Sequence, residues 1–259
     1  SLMVKSSGWS AEFFSDVTSN LTKLTYLDVG GAKLGNSTFP ASFGKMNGLI
    51  TLIMTDIDIN EDFALPALSG PGLAQPSLLK TYKLDRIPAR GNAVLRKIPE
   101  EIGSLRSLKE FELRTVQMAH GTSLPASFAN LTGLRKLSIT FCKGLSGPIP
   151  RALSTLGRSG RSRGTAVDLP VRIELSDNEL SGVIPPIPAG AVAFKAQNNN
   201  LTGMDPLLFN RSGNLLHLDL RGNQIHSSFP QGLCRAQLFC SLSLRDNFIH
   251  GLLPPLGNS

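Results

Sequence analysis

The chain has 259 residues, a formal charge of +7 and a hydrophobic fraction of 41%, with 17% charged residues. That apolar content excludes wholesale disorder, and no apolar run reaches the ~18 residues needed to cross a bilayer. Three cysteines are too few for a disulfide scaffold.

The elements then repeat along the chain. In order they read LTYLDVGGAKLGNSTFP (24–40), the degenerate LITLIMTDIDI (49–59), LDRIPARGNAVLRKIP (84–99), LKEFELRTVQMAHGTSLP (108–125) and LRKLSITFCKGLSGPIP (134–150). They continue as VRIELSDNELSGVIP (171–185), VAFKAQNNNLTGMDP (192–206), LLHLDLRGNQIHSSFP (215–230) and FCSLSLRDNFIHGLLP (239–254). The shared frame is L-x-x-L-x-L-x-x-N-x-L-x-G-x-I-P. Alternating apolar residues such as Leu218 and Leu220, or Ile173 and Leu175, predict a short strand with one buried face. A lone coil of ~24 residues cannot bury that face, and stacking coils can. The strands should form one parallel sheet on a concave side. The segment from each Pro to the next Leu should return over the convex side as 3₁₀ or irregular backbone.

Each strand is followed by a position whose Asn amide can bond the backbone of adjacent coils and so build a ladder. Nine coils place it at Ala32, Ile57, Asn92, Val116, Cys142, Asn178, Asn199, Asn223 and Asn247. Asn fills five of these, mostly late in the chain, so the N-terminal ladder should be looser. Cys142 reads as a small buried residue in a ladder place. Two intervals are long. Ile57 to Asn92 holds an insertion near 62–78, and Cys142 to Asn178 holds a small basic one near 157–168 with Arg158, Arg161 and Arg163. Solenoid insertions serve as binding loops or as surface slack, and both readings stand.

The L-x-G-x-I-P half, with Leu145, Gly147, Ile149 and Pro150 and again Leu180, Gly182, Ile184 and Pro185, resembles the plant-type leucine-rich repeat family. The resemblance covers roughly 21–255. It implies an α/β repeat solenoid, a right-handed leucine-rich-repeat superhelix forming a single domain over 1–259. It further implies the extracellular part of a receptor-like protein or receptor-like kinase, without catalysis and without a cofactor. The chain reads as a piece of a longer one, truncated at both ends, with any membrane anchor or kinase domain in other segments. Two other roles remain open: an intracellular cytoskeletal or axonemal scaffold, and a secreted inhibitor of a wall-degrading enzyme. Localisation follows the role, at the cell surface or extracellular in one case and in the cytoplasm or cytoskeleton in the other.

The outward strand positions form columns across the concave sheet. The expected partner surface comprises Arg86, Arg90, Glu110, Glu112, Arg114, Lys136, Arg172, Glu174, Lys195, Asp219, Arg221 and Arg245. Four of the arginines fall in one column. Arg suits planar, bidentate contacts, so the expected ligand is a protein or peptide, or a glycan. Aromatic residues make only 6% of the chain and acids interrupt two of the three columns, which argues against nucleic acid.

Other motifs carry less. Gly160-Arg161-Ser162-Arg163-Gly164 spells G-x-S-x-G but has no apolar strand leading into the serine, so it is not read as a nucleophile elbow. His226 and His250 occupy equivalent repeat sites, and two histidines without a further ligand make a poor metal site. Sequons begin at Asn20, Asn36, Asn130, Asn200 and Asn210, the expected glycosylation sites if the chain is secreted. Cys234 and Cys240 stand six apart and pair only in an oxidising compartment; free thiols are the alternative.

Overall fold

The computed structural model describes residues 2–5, 10–35, 39, 41–59, 62–65, 78–87, 93–162, 165–210, 212–229 and 240–251. In chain order the first elements are β1 (Leu2–Lys5), α1 (Ala11–Asn20), β2 (Tyr26–Gly30), β3 (Lys33–Gly35), β4 (Thr51–Thr55), β5 (Asp58–Ile59), β6 (Thr81–Ile87), β7 (Glu110–Val116) and β8 (Lys136–Thr140). Then follow β9 (Ser146–Pro148), β10 (Arg158–Ser162), β11 (Thr165–Asp168), β12 (Val171–Glu174), β13 (Glu179–Ile184), β14 (Ala191–Lys195), β15 (Asn200–Met204), β16 (His217–Asp219) and β17 (Ser241–Ser243).

Ten strands make one sheet in the order β1-β2-β4-β6-β7-β8-β12-β14-β16-β17, and the neighbours within it are parallel. From β2 to β16 the buried apolar residues of the sheet turn inward. Leu27, Leu52, Tyr82, Phe111, Leu137, Ile173, Phe194 and Leu218 form one buried row and Val29, Met54, Leu84, Leu113 and Ile139 the next. The stacked inner rows are continuous with one hydrophobic core. Each coil thus completes the apolar face of its neighbour, which is the physical reason such an array is stable only as a stack.

On the far side of the core the chain returns through short 3₁₀ segments at 41–45, 100–104, 126–130 and 151–155. Pro99, Pro125 and Pro150 precede three of them with φ between −60° and −72°, the value the ring imposes. Phe43, Ile102, Phe128 and Leu153 point inward from these turns and close the core. The return of the first coil is different. It is the α-helix α1, beside the 3₁₀ turn at 41–45 and ahead of the first repeat read from the sequence. Strand β1 ahead of it adds a tenth rung that the nine-coil count omits, with Leu2 opposite Leu27 and Val4 opposite Val29.

Between strand and return, each coil turns sharply at one residue in the left-handed region, immediately before its ladder position. These residues are Gly31, Asp56, Arg86, Thr115, Phe141, Asp177, Asn198, Gly222 and Asp246, with φ between 49° and 70°. Behind them, asparagine side chains bond adjacent coils in the later part of the chain. Asn199 donates from Nδ2 to the Leu175 and Ala196 carbonyls at 3.0 and 3.1 Å, and its Oδ1 accepts from the Leu180 amide at 3.0 Å. Asn178, Asn223 and Asn247 repeat the pattern, each tying its own coil to the one before. At Cys142 the thiol is buried and reaches the Thr140 carbonyl at 3.3 Å, and burial pushes its pKa up to about 12.

The third ladder position corrects the sequence reading. Ile87 lies opposite Val116, so Ile87 fills the place assigned to Asn92, which falls outside the described residues. The strand there begins at Thr81, five residues earlier than the R-G-N spelling around Asn92 suggested. Side-chain burial sets the register. Tyr82 stacks on Phe111 with ring centroids 5.4 Å apart, and Tyr82 and Leu84 are fully buried. The N-terminal ladder is therefore an apolar spine of Ala32, Ile57, Ile87 and Val116, all buried.

The two insertions separate in the same way. With Ile87 in the ladder, the excess expected near 62–78 is spread over two moderately long coils. Phe63 and Leu65 belong to the core, Phe63 bridging to Leu95, while 66–77 lie outside the described residues. The second insertion is a hairpin. Strands β10 and β11 pair with each other, Arg158 opposite Asp168 and Ser162 opposite Thr165.

Candidate functional site

The outward positions of the concave sheet follow directly from the strand register. The first column runs Tyr26, Thr51, Thr81, Glu110, Lys136, Arg172, Ala193, His217 and Ser241. The second runs Asp28, Ile53, Lys83, Glu112, Ser138, Glu174, Lys195, Asp219 and Ser243. The third begins Gly30, Thr55, Asp85, Arg114 and Thr140 and continues beyond the strand ends through Ser176, Gln197, Arg221 and Arg245.

Two predicted members therefore leave the columns. Arg86 is not an outward strand residue; it occupies the left-handed turn before Ile87, with φ 49°. Arg90 lies outside the described residues, and the place given to it in the third column belongs to Asp85. The expected run of four arginines is three, with an acid in the third coil. Lys83 and Asp85, which the sequence reading missed, take their places beside β7. The one signal that could have found them is the alternation Tyr82-Lys83-Leu84-Asp85.

The charges on this face divide into two groups. In the first two columns of β6, β7 and β8 they neutralise one another, Lys83 and Lys136 against Glu110 and Glu112. Lys136 Nζ donates to Glu112 Oε2 at 2.6 Å, and Lys83 Nζ lies 3.5 Å from Glu110 and 3.9 Å from Glu112. On β12 and β14, Arg172, Glu174 and Lys195 form no ion pair among the described residues. In the last two coils Arg221 reaches Asp219 at 3.4 Å and Arg245 reaches Asp246 at 3.6 Å, the second pair well exposed. Exposed pairs of this kind contribute little stability, so these side chains are available for rearrangement.

An open pocket of about 460 Å³ lies where β6, β7 and β8 end, lined by Asp56, Arg86, Ile87, Thr115, Val116, Gln117, Phe141 and Lys143. The Arg86 guanidinium is held on three sides, by Asp56 Oδ1 at 2.9 Å, Asp56 Oδ2 at 3.0 Å and Asp85 Oδ2 at 2.9 Å. That hydrogen bonding lowers the pKa of Asp56 below the ordinary carboxylate value.

The remaining expectations fall as follows. Asn20, Asn130, Asn200 and Asn210 are exposed, Asn130 at the end of the 3₁₀ turn 126–130; Asn36 lies outside the described residues. Cys234 also lies outside them, and with it any pairing to Cys240. Ser162 of the G-x-S-x-G spelling sits at the tip of the hairpin and is followed by a second strand, not a helix. The His226 ring stacks on the exposed Phe248 of the next coil at 4.3 Å and its Nδ1 is 2.8 Å from the Gln224 carbonyl. Among the described residues no three His, Cys, Asp or Glu side chains group as a metal site would require, and no helix is long and apolar enough to cross a membrane.

A family model described as Leucine Rich Repeat matches residues 214–236. Over 66 residues, 24% of this chain, the sequence is 42% identical to the putative kinase-like protein TMKL1 of Arabidopsis thaliana, covering 10% of that protein. Among solved structures the fold is similar to the ectodomain of the plant membrane receptor kinase GASSHO1/SCHENGEN3 from Arabidopsis thaliana in complex with CASPARIAN STRIP INTEGRITY FACTOR 2. That likeness has a TM-score of 0.57 and 21% identity, over 92% of this chain and 28% of that one. The plant peptide hormone receptor RGFR1 in complex with RGF2 gives a TM-score of 0.58 and 20% identity, over 91% of this chain and 38% of that one. The leucine-rich-repeat protein LIC12759 of Leptospira interrogans gives 0.59 and 19%, over 90% of this chain and 57% of that one. The chain thus spans well under half the length of the receptors it resembles. It is a leucine-rich-repeat solenoid, and the likeness in fold to the plant and the bacterial repeat proteins extends over about nine-tenths of the chain.

Proposed function

We propose that this chain is a non-catalytic recognition module that binds a protein or peptide along its concave sheet, as the ligand-sensing part of a receptor-like protein or kinase at the cell surface. The observation that carries this reading is the patch on β12 and β14. There Arg172, Glu174 and Lys195 stand outward on adjacent strands with no ion-pair partner among the described residues, beside a self-neutralised network on β6 to β8. Desolvating such charges is favourable only against a partner of complementary pattern. The fold is similar to that of a plant peptide hormone receptor solved in complex with RGF2, and the exposed sequons at Asn20, Asn130, Asn200 and Asn210 fit display on a secretory route.

The test is selection from a random peptide library displayed on phage, followed by charge reversal at Arg172→Glu with Lys195→Glu. These two are chosen because neither supports the fold by an ion pair, whereas Glu112 does. The expected result is at least ~10-fold weaker binding of the selected peptides, about 1.4 kcal/mol, with an unchanged thermal midpoint. Equal binding by the variant, or no enrichment above a charge-matched control, contradicts the reading.

A further inference from the structure

Nine coils turn through a left-handed residue, and six of them use Gly, Asp or Asn: Gly31, Asp56, Asp177, Asn198, Gly222 and Asp246. Those residue types enter that region at little cost. The three exceptions are Arg86, Thr115 and Phe141, at φ 49°, 52° and 55°. For a β-branched or aromatic residue such a conformation is a true outlier. The exceptions are not scattered. They occupy three consecutive coils, and all three line the pocket at the ends of β6, β7 and β8. Strained backbone gathered in one cleft points to selection for something other than folding.

The side chains there support the same conclusion. Phe141 is 51% exposed, so its ring adds little to the core it borders. The Arg114 guanidinium lies over that ring, 5.9 Å from its centroid. Buried Ile87 and Val116 form the apolar floor. Of the charges present, Arg86, Asp56 and Asp85 are bound to one another. Arg114 and Lys143 have no ion-pair partner among the described residues. The pocket thus offers an apolar ring and floor with the unpaired cation Lys143 in its lining and a second, Arg114, over the ring at its edge.

We propose that this pocket is a docking site for an extended acidic peptide segment, one apolar side chain packing on Phe141 over Ile87 and Val116 and flanking carboxylates meeting Arg114 and Lys143. The site lies at the strand ends, beside the concave columns. It deepens the peptide-recognition reading by naming the chemistry of one contact.

Phe141→Gly separates this role from a structural one, because the glycine relieves the turn while removing the ring. The probes are the blocked peptide Gly-Glu-Phe-Glu-Gly and its Glu-Ala-Glu and Lys-Phe-Lys counterparts, titrated to millimolar concentration against the isotopically labelled chain by NMR. The expected result is saturable shifts at 86–87, 115–117 and 141–143 for the acidic aromatic peptide alone. Phe141→Gly should abolish them while raising the thermal midpoint by ~2–4 °C. Lys143→Glu should weaken the acidic peptide at least ~10-fold and admit the basic one. No shifts in the wild-type chain, equal shifts from all three peptides, or a lowered midpoint in Phe141→Gly each overturn the proposal. If the pocket fails while Arg172→Glu with Lys195→Glu still loses the library peptides, only the pocket is removed. If both fail, the recognition reading goes with it.

Discussion

A side-chain amide that bonds two backbones at once carries more of this fold than its size suggests. Asn199 is buried, donates to carbonyls of its own coil and the preceding one, and accepts the Leu180 amide. Replacing it with Ala leaves those groups without partners inside a dry turn. Each buried unsatisfied group costs about 1–3 kcal/mol, so Asn199→Ala should lose roughly 2–4 kcal/mol in a urea melt. A loss below about 1 kcal/mol would mean that water or a shifted backbone takes over the ladder. Four of the ladder asparagines and Cys142 were readable from spacing alone, because each follows a clean apolar pair by three residues. Asn92 was not, because its neighbours Arg90 and Gly91 imitate Arg221 and Gly222 while the true strand lies upstream. The burial of Tyr82 against Phe111, a contact between coils, decides that register, and local spelling does not reveal it.

The hairpin of β10 and β11 is separable from the solenoid. Its strands pair only with each other, and the coil closes through Gly157 and Leu169, whose amide donates to the Gly157 carbonyl at 2.9 Å. Gly157 has φ 75° and a Cβ there would stand 2.8 Å from the Leu169 carbonyl oxygen, so this junction requires glycine. Shortening 159–167 to a two-residue Gly-Ser link should therefore leave the thermal midpoint within ~3 °C by calorimetry, since changing loop length costs little entropy. A fall of ~10 °C would show that the hairpin braces the neighbouring coils. The insertion itself was visible in the sequence as an interval too long for one coil. Its hairpin form was not, because Arg158 to Asp168 has no apolar alternation to announce a strand. For the same reason β1 and α1 escaped notice: one short strand and one helix ahead of the first complete repeat have no preceding copy to align with.

Taken together, the coils build one sheet of ten parallel strands whose inward face is apolar and whose outward face is mixed in charge. The inner face was legible in the periodicity, since burial has only one way to arrange alternating leucines. The outer face was legible only where the register was. Asp85 takes the column place read as Arg90 and Lys83 stands beside it, and the pocket around Phe141 arises from turns that no repeat frame singles out. That outer face is the central claim, because the inner one would be the same in any solenoid of this class. Hydrogen–deuterium exchange of the chain with and without a library-selected peptide tests it most directly. The account predicts added protection in segments covering 136–140, 171–174 and 191–195, with the convex turns at 100–104, 126–130 and 151–155 unchanged. Protection confined to those convex turns would contradict it.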